Sequence, residues 1–587
     1  MTSKGVEFLA LPSLVLRVGV TGHRALEASD DGIKALEQSI ARIFSTFDES
    51  IRTAQSAVDK FSGEPASLRI LNGLAEGADQ LAAEQALALG HNLEVILPFS
   101  KDQFLEDFTN PGVGQRFQTL LSAADAVVQL GNERTSDRSE GFQGVGEWLC
   151  RNSDFLIACW DGKPARGAGG TAWVVEHALQ QQVPVVWVEP QETACRIRLL
   201  IPVPTGTQVV KSEEWLHKLS SLVADTLMPP DAARDDQREA SQRLHGYLTE
   251  QPKSVNLALV YPLFQWLAMG RTLRHSDWYP GQIPDELEQG DQLGWHLGHA
   301  DQQANYYAQV YRGAMVINYL FASMAVLMAL MGLLLPVLKS AWVAIELLLI
   351  VAVLANTTYG RHRNWHQRWL DYRQLAERCR VLNMLHPLGA MNLDELRWNR
   401  RLNRNQPTAW VDWLVSALVR ARAAPPEPLQ SSRLGEIRSS LTDHLQSQVG
   451  YHQLTADNAH RADHRLHVLG EIFLYGTILA CLAYLGLGVL VETVPDLAKK
   501  WVTFITALLP AFGAAAFGLR AHADFRGIED RSRATAMHLD DIHQRLNGLS
   551  PDYLALLRGA DLIRKAHYEE LRDWRVTFEQ RPLAVPA

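Results

Sequence analysis

The sequence predicts an α/β domain built on a doubly wound parallel sheet (Rossmann-like), followed by an all-α membrane region with four transmembrane helices in two repeated hairpins. Three observations predict it. Short apolar runs alternate with helix-patterned stretches from residue 14 to about residue 190, which is the pattern of a parallel sheet covered by helices. Four apolar runs of about 20 residues follow, three uncharged and one holding the single acid Glu346, each long enough to cross a bilayer. Short turns pair these runs, and a related motif trails each pair.

The strands are expected at 14–20, 68–71, 93–97, 126–130, 155–159 and 183–188, and helices at 32–59, 77–89 and 171–182. Residues 6–20 are apolar and follow Lys4, as in a signal peptide, but Arg17 interrupts the run and no small-x-small cleavage site follows. The run therefore reads as a buried first strand. Ligands of doubly wound sheets bind beyond the carboxyl ends of the strands, and three loops are expected there. The first is Gly19-Val20-Thr21-Gly22-His23-Arg24; the second is Asn72-Gly73-Leu74-Ala75-Glu76-Gly77-Ala78-Asp79. The third joins Trp160-Asp161-Gly162 to Gly167-Ala168-Gly169-Gly170-Thr171. Glycine lets a backbone approach a ligand closely, and helix N-termini offer free N–H groups to phosphate. The candidate nucleotide-binding residues are Thr21, Gly22, His23, Arg24, Gly73, Glu76, Gly77, Asp79, Gly169, Gly170 and Thr171. Arg24 would add a charge-assisted contact, while His23 fits a phosphate contact or turn hydrogen bond better than acid–base work.

The membrane spans are expected at 314–335 and 341–359, joined by a tight turn from Pro336 to Ser340, and at 472–491 and 501–519. Residues 255–269 are shorter and hold Asn256, Pro262 and Gln265, so they read as a buried helix packed on the soluble part. Pro510 is expected to kink or loosen the last span, and small-residue pairs such as Gly476/Ala480 to permit close helix contact. Asp371-Tyr372-Arg373 through Arg380 after the first hairpin and Asp524-Phe525-Arg526 through Arg533 after the second recur in register, offset by 153 positions. The flanks on the soluble side are rich in arginine (Arg312, Arg361, Arg363, Arg465, Arg520, Arg526), whereas the hairpin loops carry Lys339, Lys499 and Lys500. By the positive-inside rule both termini are cytoplasmic and the chain is a multi-pass protein of the plasma (inner) membrane. Polar residues within spans are functional candidates, which makes Asn318, Glu346 and Asn356 the pore candidates. The domains are then 1–195, a coupling region 196–300, a first two-span unit 301–450 and a second 451–587.

The net charge of −9 argues against a general nucleic-acid binder. The five cysteines are widely spaced, which fits neither a disulfide framework nor a zinc site. No Walker A sequence, nucleophile elbow or HExxH occurs.

The run VGVTGHR, then LNGLAEGADQLAAEQALALG leading into LPF, then DFLIACWDG with GGTAWVVEHAL and VPVVWV, resembles the SLOG superfamily, with its DprA-like and LOG-like branches. The match covers about the first third of the chain. The two-span units with trailing arginine-rich helices resemble SLATT domains, membrane effectors often fused to SLOG sensors in anti-phage systems. The layout also resembles melastatin-type TRP channels. The resemblance implies a nucleotide second messenger as ligand, of ADP-ribose type or a cyclic oligonucleotide, and no cofactor. It does not imply catalysis: LOG enzymes use PGGxGTxxE, and the glutamate position is Val174 here, with Glu176 two further on. On a helix that displacement turns the carboxylate by about 200°. Three functions are therefore open at this point: a nucleotide-sensing membrane effector acting as a homo-oligomer, a membrane-tethered LOG-type N-glycosidase, and a membrane scaffold with a ligand-free docking domain.

Overall fold

In the computed structural model the described residues are 11–586, apart from 25–28, 109, 132–137, 166, 205, 212–213, 252–259, 273–290, 392, 394–395, 397–402, 426 and 491–494. The apolar runs become the strands of one sheet. β1 (Val15–Gly22) is buried along almost its whole length, because helices cover both faces of a doubly wound sheet. α1 (Asp30–Ala57), β2 (Ser67–Asn72), α2 (Ala78–Ala88) and β3 (Asn92–Leu97) follow. Next come α3 (Lys101–Leu105), α4 (Pro111–Ser122), β4 (Ala126–Gln129), α5 (Arg138–Asn152), β5 (Phe155–Cys159), α6 (Thr171–Gln180) and β6 (Val185–Pro190).

All six expected strands form, and they are parallel. Two more were not read from the sequence: β7 (Cys195–Val203) and β8 (Gly206–Lys211) continue the sheet antiparallel beyond residue 195. Their arginines and Pro202 obscure the apolar run, as befits strands near an edge. The strand order is β4-β3-β2-β1-β5-β6-β7-β8, so the chain reverses its winding between β1 and β5.

α7 (Glu214–Leu227), α8 (Arg238–Leu248) and α9 (Val260–Phe264), which runs on as a π-helical turn (Gln265–Met269), lead to the long helices. These are α10 (Gln292–Leu334), α11 (Lys339–His362), α12 (Trp365–Leu385), α13 (Ala409–Ala421), α14 (Ser431–Leu490), α15 (Asp496–Ala523), α16 (Phe525–Asn547) and α17 (Tyr553–Glu579). Four of them (α10, α11, α14 and α15) are long and apolar enough to cross a membrane. Pro336–Leu338 is the tight turn between the first two. α14 has 60 residues and is about 90 Å long, so it runs well beyond any bilayer core. α15 is continuous through Pro510. Gly470 and Gly513 let α14 and α15 approach; a Cβ at Gly470 would lie 2.6 Å from the Phe517 ring.

Two sequence expectations are corrected. Hairpin plus trailing helix does recur, but the recurring motif does not occupy equivalent places. Each trailing helix begins after a left-handed residue, Asn364 (φ 51°) and Asp524 (φ 55°), and these stand 160 rather than 153 positions apart. Asp371 lies buried inside α12, where Arg243 and Arg575 bond it, whereas Asp524 is the break itself. The shared pattern reflects acids that hold arginines at two different heights. Residues 255–259 of the 255–269 segment lie outside the described residues. The remainder is buried on one side only: Tyr261, Ala268 and Met269 are buried, while Leu263, Trp266 and Leu267 are exposed.

α13 is buried from Ala409 to Arg420 against the amino ends of the strands. There Arg420 bonds Asp154 at 2.8 Å, and Arg17 bonds Glu94 at 2.5 Å, all four almost fully buried. Trp410 and Trp413 are packing residues at this junction. Removing one partner of such a pair typically costs about 3–5 kcal/mol, so the two halves of the chain are held as one unit. Asp154→Ala is expected to lower the melting temperature of the whole protein, and differential scanning fluorimetry of the detergent-solubilised chain checks it.

Candidate functional site

The crevice at the point where an open sheet reverses its winding is where such folds bind ligands. Beyond the carboxyl ends of β1 and β5 lies a cavity of about 670 Å³. Thr21, Gly22, His23, Arg24, Gly73, Asp79, Gly169, Gly170 and Thr171 line it, so the three loops read from the sequence do converge. Glu76 and Gly77 lie outside the lining. Gly77 instead lets two loops meet, since its φ is +92° and a Cβ there would stand 2.3 Å from the Arg24 carbonyl oxygen. Only glycine lets the first loop touch the start of α2, where the Ala78 N–H donates to the His23 carbonyl (3.2 Å). Gly169 (φ +80°) likewise passes so close to Gln143 that a Cβ would lie 2.6 Å from its backbone nitrogen. Gly170 differs, with an ordinary φ of −78° at the N-cap of α6 and room for a Cβ, whose nearest neighbour would be the Gly167 carbonyl oxygen at 3.6 Å.

Both signs of charge line the cavity. Arg24 lies over the Phe142 ring at 4.8 Å, which fixes the guanidinium at the cavity wall. His23 Nε2 lies 3.0 Å from Asp161 Oδ1 and 3.2 Å from the Asp161 nitrogen, so this histidine ties two loops together as a turn element. Burial would raise the Asp161 carboxyl, but hydrogen bonds from Lys163 and His23 outweigh it and hold it well below the usual range. Asp79 behaves oppositely. It is buried, its Oδ1 has no hydrogen-bond partner among the described residues, and burial pushes its carboxyl up to about 7 against the N–H groups of Ala75 and Gly22 and the charge of Arg24. Free N–H groups at α6, Arg24 and Lys163 suit an anionic group, and a neutral Asp79 can donate a hydrogen bond to a ligand acceptor.

Because Asp79 titrates higher when folded than the ordinary 3.8, the folded state holds an extra proton between about pH 4 and pH 7. Stability therefore falls as pH rises through that window and levels off above it. Asp79→Asn is expected to flatten this dependence and to raise stability at pH 8 by up to about 4 kcal/mol; urea unfolding at several pH values measures it.

Sequence reasoning missed one wall. Phe142, Val145, Gly146 and Leu149 of α5 close the cavity, and Lys163 follows the Asp161-Gly162 turn. Val174 lines the cavity, while Glu176 is exposed outside the lining. α5 has a second face. Its Arg151 bonds Asp561 of α17 through both nitrogens (2.9 and 2.7 Å), and Trp148 lies beside Tyr553 at the start of α17.

The polar residues of the spans form a different cluster. Asn318 is buried; its Nδ2 donates to Thr357 Oγ1 (2.9 Å) and to the Ala584 carbonyl (3.3 Å), and Asn356 donates to Asn318 Oδ1 (2.7 Å). Within one chain these asparagines bond helices together. Glu346, half-buried on α11, takes no part in the cluster. A strap after α17 completes it: Tyr311 donates to the Arg581 carbonyl (2.5 Å) and Arg361 to the Leu583 carbonyl (2.9 Å). Arg581 donates in turn to the Ala521 and His522 carbonyls (3.3 and 3.2 Å) and pairs with Asp524, so the strap joins the two hairpin units. The cysteines are all free, and no metal-binding cluster occurs among the described residues.

Compared with known proteins, the chain matches no family model and no curated protein. Among solved structures it is similar in part to the DNA processing protein A (DprA) of Streptococcus pneumoniae, at 19% identity and a TM-score of 0.20. The match covers 31% of this chain and 51% of that one, so it spans about half the length of that protein. A likeness that loose assigns neither a site nor an activity.

Proposed function

We propose that this protein is a nucleotide-sensing membrane effector: a nucleotide-derived ligand of ADP-ribose type, or a cyclic oligonucleotide, occupies the β1/β5 cavity and changes the permeability of the plasma (inner) membrane through the four spans. One observation carries this reading. α5 lines the cavity with Phe142, Val145, Gly146 and Leu149, and through Arg151 it grips α17, which packs on both trailing helices. A ligand that moves α5 therefore moves the helices attached to the spans. The resemblance to SLOG sensors fused to SLATT effectors is the reason to place this activity in anti-phage defence.

The energetics favour a homo-oligomer. A near-complete switch needs a differential affinity of about 5.5 kcal/mol, and each charge-assisted hydrogen bond supplies about 1.5–3 kcal/mol. Several sites acting in a symmetric assembly meet that requirement more readily than one. The test starts with mass spectrometry of small molecules that copurify with the full chain; the compound found is then added to vesicles holding the protein, and dye or ion leakage is read. Arg151→Ala is expected to leave ligand affinity within about twofold, as suits a side chain off the lining, and to reduce leakage severalfold. Unchanged leakage would remove α5 from the route.

Orientation has its own check. With both termini and residues 386–450 on the cytoplasmic side, a thiol reagent applied to intact cells is expected to label Ser340→Cys and Lys500→Cys and to spare Ser440→Cys. The opposite pattern overturns the topology.

Asp79 gives a reason to weigh a second reading, hydrolysis of a nucleotide N-glycosidic bond, since a carboxyl titrating near 7 inside a cavity can act as an acid or base. Release of free base or nicotinamide, abolished by Asp79→Asn, is the outcome that selects it over sensing.

A further inference from the structure

Residues 260–270 present apolar side chains on two sides. Tyr261, Ala268 and Met269 are buried against the long helices, while Leu263, Trp266 and Leu267 are 48, 50 and 59% exposed. The spacing i, i+3, i+4 puts the exposed three on one side of the helical turns. An isolated exposed leucine is ordinary, but a Trp flanked by two Leu at helical spacing forms a patch.

The level at which the segment sits decides what covers that patch. The Arg312 guanidinium lies 5.3 Å from the Tyr261 ring centre, at the residue pair before the first apolar run. Arg465 donates to the Leu267 carbonyl (2.7 Å), two turns, or about 10 Å, before the third run begins at Ile472. The Phe264 and Phe525 rings stand 6.1 Å apart, and Phe525 opens the helix that follows the fourth span. The segment therefore sits among the soluble-side mouths of three spans. Arg271, held by Gln265 (2.7 Å), adds a third cation beside Arg312 and Arg465. Apolar side chains on one face with Trp among them, and arginines alongside, are what a headgroup boundary accommodates.

We propose that residues 260–271 form an interfacial membrane element, with Leu263, Trp266 and Leu267 inserted into the inner-leaflet headgroup–acyl boundary and Arg271, Arg312 and Arg465 at the lipid phosphates. The proposal rests on the reading of α10, α11, α14 and α15 as spans, and commits to lipid as the occupant because the patch sits at the soluble-side mouths of three of them with arginines alongside. It gives the connection between the α/β domain and the first span a fixed depth in the bilayer.

The test uses the full chain in phosphatidylethanolamine–phosphatidylglycerol vesicles, with Cys195 and Cys481 replaced by serine and a nitroxide placed at Leu267→Cys or, separately, Leu263→Cys. Leu479→Cys on the third span and Arg52→Cys on α1 are the lipid and water references. The ratio of oxygen to nickel-chelate accessibility at 267 and 263 is expected to stand severalfold above that at 52 and below that at 479, as suits a boundary depth. A ratio like that at 52, or shielding from both reagents, which would mean a protein cover such as a second copy, overturns the proposal while leaving the spans in place. A watery signal at 479 itself removes the spanning reading, and the proposal falls with it.

Discussion

Gly170→Arg is expected to abolish ligand binding while leaving the fold and membrane insertion intact. The position is unusual among the glycines of the cavity. Its φ of −78° suits any residue, and the nearest outside atom to a Cβ there, the Gly167 carbonyl oxygen, would stand at an ordinary 3.6 Å. A side chain therefore enters without backbone strain, in contrast to Gly77 and Gly169, where substitution should unfold the loop. The new guanidinium would occupy the space before the α6 N-terminus, where an anionic group is expected. Arg24→Ala is the milder companion: loss of one charge-assisted contact of about 1.5–3 kcal/mol weakens binding about 10–100-fold. Isothermal titration with the copurifying compound measures both, and circular dichroism with size exclusion confirms the fold. Full affinity in both variants would move the ligand out of this cavity and withdraw the sensing proposal.

The cavity's position was legible because its determinants are local. An apolar strand that ends in Gly-His-Arg, a second that ends in Asn-Gly, and a glycine run before α6 each announce a strand-to-helix turn within a few residues. α5 was not legible. Its sequence, RSEGFQGVGEWLCRN, has no single apolar stripe, because one face closes the cavity and the other meets α17 some 400 positions along the chain. Periodicity reports a helix that faces one core and one solvent; it fails where both faces are buried by distant partners. The register of the repeat differs for a related reason. Charge motifs that look aligned at an offset of 153 are fixed by what each acid must hold, and the partners of Asp371 and Asp524 lie at different heights. Asn318 and Asn356 read from the sequence as pore candidates, but the partners of Asn318, Thr357 and the Ala584 carbonyl, come from the returning helix and the strap and were not legible there.

Disrupting that strap is expected to have the largest effect on the membrane region. Leu583 is only 3% exposed and packs so closely on Gly360 that a Cβ there would meet its Cδ2 at 2.7 Å. Leu583→Ala removes this packing where helices on both sides limit collapse, a loss of about 2–5 kcal/mol. Arg581→Ala takes away the donors to the Ala521 and His522 carbonyls and the partner of Asp524, which are the contacts to the second hairpin unit. The two substitutions act on one structural element, so their combined effect should fall short of the sum of the single effects. Because the strap joins Tyr311, Asn318 and Arg361 of the first unit to the mouth of the second, its loss should let the hairpins move apart without unfolding the α/β domain. Two readouts separate these parts. Thermal unfolding of the spans in detergent should shift downward, while ligand affinity at the β1/β5 cavity stays at the wild-type value. In vesicles, leakage without ligand should rise in the double variant. If the strap variants keep both thermal stability and a tight bilayer, the two hairpins are held together by their direct α10–α15 contact, and the strap contributes nothing to the closed arrangement.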